Sequence, residues 1–113
     1  MADTYKVLGQ SNPYAETETV LYTVPANKQA VISTISVCNT AASDTTFRVI
    51  IQKASEQTSV LSKQYFAYDT KVFKNDTTSI TAGITLATGD RVQVYSLSGT
   101  VAFQAFGSEM STV

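Results

Sequence analysis

With 113 residues and a single cysteine, the chain has room for one domain of ordinary size and no means of stapling it with an internal disulfide. Charged residues make up 15% of it, against roughly a quarter in an average soluble protein. Eight basic residues nearly balance nine acidic ones, which leaves no electrostatic footprint for a nucleic-acid backbone or an anionic membrane, and little repulsion to keep copies apart.

Residues 1–19 are polar, carry the turn-like pair Asn12-Pro13 and close on Glu16-Thr17-Glu18-Thr19. They offer little to a core and read as an N-terminal arm or edge segment that orders on assembly, with the folded domain spanning 20–113. No apolar run of signal-peptide length occupies the first ten residues, and no stretch approaches the roughly 18 apolar residues that cross a bilayer, so a cytoplasmic product without a membrane partner is expected.

From residue 20 onward, short runs of β-branched and aromatic residues alternate with clusters of Asn, Asp, Ser, Thr and Gly. The first strand is expected over 20–24, closed by Pro25. The second, over 30–39, sets Val31, Ser33, Ile35 and Val37 on one face and Ala30, Ile32, Thr34, Ser36 and Cys38 on the other. Neither face is polar throughout, as in a central strand or one covered by a neighbour, and Cys38 reads as a small core residue. The third, over 46–52, groups Phe47, Val49 and Ile51 against Arg48, Ile50 and Gln52. After a polar loop, 60–69 places Val60, Ser62, Gln64, Phe66 and Tyr68 toward the core and Tyr65 away from it. The strand over 77–86 is interrupted by Gly83, which predicts a bulge or bend. Strands over 92–96 and 101–106 flank the Ser98-Gly99 turn.

Seven or eight strands and no helix-period stretch predict an all-β fold, a single antiparallel β-sandwich of jelly-roll or immunoglobulin-like type. Val31, Ile35, Phe47, Val49, Ile51, Val92, Val94 and Phe103 form its expected core.

A chain without histidine lacks the commonest general base, the Ser-His and Cys-His pairs and the most frequent zinc ligand. Cys38 has no partner thiol. Asp44, Asp69, Asp76 and Asp90 stand where turns use Asp to accept backbone N–H groups, which is a simpler account than a carboxylate pair for glycoside hydrolysis. No calcium-loop spacing and no phosphate-binding glycine pattern is present. No catalytic residue, cofactor or metal is therefore expected, and the chain is read as a non-enzyme. Outward aromatic side chains are the remaining signal, because a flat apolar ring with a polar tip suits interfaces and sugar platforms. Tyr5 and Tyr14 in the arm and Tyr65 in the middle of the chain are the candidate interface residues.

The order of "YKVLGQ", "TVLYTVPANKQAVISTISVCNTAASDTTFRV", "AYDT", "NDTTSITAGITLATGDRVQVYS" and "VAFQAFGSE" resembles a family of small virion-associated structural proteins of tailed bacteriophages. The likeness runs from Tyr5 to Glu109; the stretch 54–59, "ASEQTS", departs from the more Gly- and Ala-rich loop it leads one to expect. No catalytic residues transfer with it. The resemblance implies a virion component partnered by other virion proteins, major capsid or tail proteins among them. A capsid decoration or cement protein is the leading expectation, packing as a homo-oligomer and, by fold analogy, as a trimer. The alternative is a tail, neck, baseplate or fibre component, including a receptor- or glycan-binding module.

Overall fold

Strand pairing in this chain works outward from its middle. The computed structural model describes residues 3–112, which form β1 (Asp3–Ser11), β2 (Thr19–Thr23), β3 (Lys28–Asn39), β4 (Thr45–Gln52), β5 (Tyr65–Val72), β6 (Thr77–Leu86), β7 (Arg91–Ser96) and β8 (Val101–Ser111). Met1, Ala2 and Val113, at the ends of the expected arm and domain, lie outside the described residues. β4 pairs with β5, β3 with β6, β2 with β7 and β1 with β8, all antiparallel, so the chain nests as one long hairpin around residues 53–64. Two further pairings, β3 with β8 and β4 with β7, wind that hairpin into sheet A, ordered β1-β8-β3-β6, and sheet B, ordered β2-β7-β4-β5. The fold is an all-β sandwich of eight strands, and this order is the double-Greek-key jelly roll, not the immunoglobulin arrangement. Residues 3–11 lie along β8 as the edge strand of sheet A.

The core lies between the sheets. Ile35, Phe47, Val49, Val92, Val94 and Phe103 are fully buried, and Phe47 of sheet B meets Phe103 of sheet A edge to face at 6.0 Å between ring centroids. Truncating either ring to Ala would cost about 3–5 kcal/mol.

Bulges decide which side chains reach this core, and they correct three expectations drawn from strict alternation. Ile32 and Thr34 of β3 sit opposite Gly107 and Phe106 of β8, so Ser33 is an extra residue. The faces exchange there: Ala30 and Ile32 before it, and Ile35, Val37 and Asn39 after it, all point inward and are buried. Val31 is consequently not a core residue, and Cys38 is half-buried opposite Ala102 and Thr77 on the outer side of sheet A. β5 carries two such bulges. Tyr65, Ala67 and Thr70 oppose Ile50, Val49 and Phe47, which leaves Phe66 and Asp69 as extra residues, with Asp69 in the left-handed region at φ 46°. Phe66 and Tyr68, expected in the core, are therefore exposed, and only Ala67 of that stretch packs against it. On β6 the extra residue falls between Thr81 and Ile84, at Gly83.

The polar side chains that are buried tie loops to strands. Asn39, fully buried, donates to the carbonyl of Ser43 and accepts from Ala41 N–H and Thr100 Oγ1, holding together the turns that connect β3 to β4 and β7 to β8. At the opposite end Gln52 donates to Gln64 Oε1 and accepts from Arg91 Nε, which draws the loop 53–64 over the outer face of sheet B. Ile50 shares that face and is fully buried under this loop, although alternation alone would expose it. Among the described residues no buried side-chain nitrogen or oxygen lacks a partner.

Candidate functional site

Charge is divided between the two outer faces. On sheet B, Arg48 projects outward from β4 and forms two hydrogen bonds with the Asp69 carboxylate, at 2.7 and 3.3 Å. Its guanidinium lies 4.4 Å from the ring centroid of Tyr68 and 4.3 Å from that of Tyr95, and Asp69 holds it further in its charged form. Tyr65 completes the group, edge to face with Tyr68 at 4.7 Å. The double bulge of β5 makes this possible by turning Tyr65 and Tyr68 to the same side, where unbroken alternation would separate them. The ring faces are already occupied by the guanidinium, so the cluster is a closed clamp joining β4, β5 and β7. Beside it Lys71 pairs with Asp44 at 3.5 Å, and Lys63 and Lys53 with Glu56 at 2.6 and 3.9 Å.

The carboxylates are engaged in structure. Asp44 accepts from Lys74 N–H, Asp76 from Thr77 N–H, and Asp90 from Ala54 and Ala87 N–H groups. Asp69 is the exception to the turn reading, since it sits inside β5 and serves Arg48. Glu109, which sequence reasoning missed, is the one buried carboxylate among the described residues. It accepts 2.5 Å from the Tyr22 hydroxyl and pairs at 2.8 Å with Lys6. Lys6 and then Tyr22 hold the Glu109 carboxyl below its ordinary value, while burial first and Glu109 second push the Tyr22 phenol well above its own. No group of three or more His, Cys, Asp or Glu among the described residues is placed to hold a metal.

The outer face of sheet A is different in kind. Residues directly opposed across strands share a face, so the register lays out its rows. Tyr5, Ser108, Val31 and Thr85 make one; Val7, Phe106, Thr34 and Thr81 the next; Gln10, Gln104, Ser36 and Ser79 the third. Ala102, Cys38 and Thr77 begin a fourth. Across these four rows there is no charged side chain, and none of the residues is fully buried; the next row beyond Tyr5, made of Asp3, Met110 and Gln29, places the Asp3 carboxylate at a corner of the same face. The composition behind this is visible in the chain: 29–43, 77–89 and 92–108 contain no Asp, Glu, Lys or Arg. These three stretches supply most of β3, β6 and β8.

The three candidate tyrosines do not converge. Tyr5 stands 81% exposed on the outer face of sheet A, and Tyr14, 84% exposed, lies on the connection from β1 to β2. Tyr65 is half-buried in the sheet B clamp. Of the three, Tyr5 alone belongs to a larger continuous surface.

No protein-family model and no curated protein matches the chain.

Proposed function

We propose that the protein is a non-enzymatic structural component of a bacteriophage virion, a capsid decoration or cement protein that packs against other copies and other virion proteins through the outer face of sheet A. The observation that carries this reading is the absence of charge from four successive rows of that face, with Asp3 only at its corner, beside a sheet B whose outer face holds paired charges. Monomeric proteins cover a flat sheet face of this size with Lys and Glu, because hydration of charge resists association. Uncharged rows of Tyr, Val, Phe, Gln and hydroxyl side chains release their water at little cost and suit permanent contact. Support also comes from the engagement of the turn carboxylates, Asp69 and Glu109 in hydrogen bonds or ion pairs. By fold analogy, the jelly roll serves viral capsid and lectin domains.

The test is the copy number of the protein in purified particles, by quantitative mass spectrometry against the major capsid protein. Hundreds of copies per particle are expected of a shell protein. A few to a few dozen would move it to the tail, neck, baseplate or fibres, and none at all would end the virion reading.

A further inference from the structure

The edge of a sheet offers unpaired backbone N–H and C=O groups to any other strand, and the four edges of this sandwich are not alike. β1 carries Lys6 turned inward against Glu109, Asp3 at its start and a bulge at Leu8. β2 is five residues long, bulged at Leu21 and followed closely by Pro25. β5 holds two bulges, with Asp69 and Lys71 along it. Inward charge, short length, proline and bulges are the features by which proteins keep edge strands from pairing.

β6 has almost none of them. It is ten residues long, contains no charge and no proline, and is bulged only near Gly83. Before that bulge, residues 77–81 run in unbroken register along β3. Among the described residues, no strand or loop other than β3 forms backbone hydrogen bonds with residues 78–86.

Elimination and symmetry name the strand that fits this edge. Of the edges this chain presents, β6 alone lacks those features, so the edge that can meet it is β6 of a second copy. Opposed residues of an antiparallel pair share a face, so a two-fold axis normal to the sheet passes through a residue position. Placed at Ile80, it opposes Ile80 to Ile80, Ser79 to Thr81 and Thr78 to Ala82. No charged side chain lies within the paired stretch, since Lys74 and Asp76 belong to the turn before it and Asp90 to the turn after β6. Ile80 and Ala82, half-buried and packed against the core from the edge, are covered by this register. The Ser79 and Thr81 hydroxyls meet on the outer side, a favourable cross-strand pair.

We propose that two copies join through β6 about this axis, turning two four-stranded sheets into one of eight strands. The joined sheet ends on both sides in β1, whose charges and bulge stop further addition, so the pair is closed. The two outer faces then lie on the same side. The pairing therefore goes beyond the function proposed above and leaves the uncharged rows open to other virion proteins.

Sedimentation equilibrium of the full chain at about 0.1 mM should show a dimer, a contact of this size standing at the weak end of specific interfaces. Amide exchange within 78–82 should slow as the dimer forms, while exchange along β2 and β5 should not change. Ser79→Lys with Thr81→Lys opposes like charges in both halves of the pair and should weaken it about tenfold or more, whereas Ser79→Lys with Thr81→Glu opposes Lys to Glu and should restore it. Both positions are exposed in a single copy, so the variants should keep the thermal midpoint of the dilute wild-type protein. A wild-type monomer at that concentration would overturn the proposal. So would an open-ended polymer, a dimer whose 78–82 amides exchange as in the monomer, or one that the paired lysines leave intact or the Lys and Glu pair fails to restore. These outcomes are independent of the particle copy number: a dimer from a protein absent from virions defeats the functional reading alone, and a monomer abundant on virions defeats this pairing alone.

Discussion

Two of the five glycines are required by a neighbouring backbone. A Cβ on Gly107 would stand 1.9 Å from the carbonyl oxygen of Val31, where β3 bulges against β8, and one on Gly9 would stand 2.1 Å from that of Leu21, where β1 passes close to β2. A strand carbonyl cannot rotate aside as a side chain can. Gly107→Ala and Gly9→Ala are each expected to cost about 3 kcal/mol, the upper range for overpacking. Gly83→Ala meets nothing within 4 Å and should stay within about 1 kcal/mol of wild type, on the side of a gain if the loss of unfolded-state freedom dominates. Urea midpoints of the three variants check this, and a Gly107→Ala protein as stable as wild type would mean that β3 does not press on β8 there. Gly83 was legible as a strand irregularity because it interrupts an alternating run. Gly107 was not, since what demands glycine is a carbonyl far away in the sequence.

The link among β1, β8 and β2 depends on pH from both sides. Glu109 joins Lys6 in sheet A to Tyr22 in sheet B, so it ties the edge strand to the sandwich and the two sheets to each other. Because the folded state lowers the carboxyl's proton affinity, its contribution is present above the ordinary value near 4.5 and is lost as pH falls through the lower folded value. Because the folded state raises the Tyr22 phenol, that contribution is full below the ordinary value of 10.0 and fades as pH rises beyond it. Glu109→Gln should remove about 1.5–3 kcal/mol at neutral pH, the range for a hydrogen bond to a charged group, and should flatten the acid limb of the stability curve. Lys6→Ala should cost less than about 1 kcal/mol, since the Lys6 side chain is 46% exposed and its pairing is screened. Thermal midpoints between acid and alkaline pH separate the two limbs, and an unchanged acid limb in Glu109→Gln would assign it to other carboxylates. Strand positions were readable in the sequence because runs of β-branched and aromatic residues stand between turn residues. Faces were readable only up to the first bulge. Ser33, Phe66 and Asp69 each reverse the alternation, and nothing in their side chains marks them as extra residues. The pairing of Tyr22 with Glu109 needed the nested hairpin to bring β2 and β8 together.

The molecule as a whole is polarised, with ion pairs on the outer face of sheet B and none across the rows of sheet A. Half of this was written in the chain as three charge-free stretches. The other half required the winding, because β3, β6 and β8 become neighbours only once the hairpin has folded back on itself. The two faces make opposite demands on solvent, which allows a measurement to say which of them associates. Raising salt from about 0.1 to 1 M shortens the Debye length from about 10 to 3 Å and weakens contacts made by exposed charge. Association through the uncharged rows of sheet A has no such contact to lose, so its dissociation constant should change by no more than about twofold over that range. It should also show a negative heat capacity of association, the mark of apolar surface leaving water. Dilution calorimetry at several temperatures and salt concentrations reads both quantities. A constant that weakens tenfold with salt, and a heat capacity near zero, would place the contact on Arg48, Asp69 and Lys71 instead, and sheet A would then have to be covered by something other than a second copy.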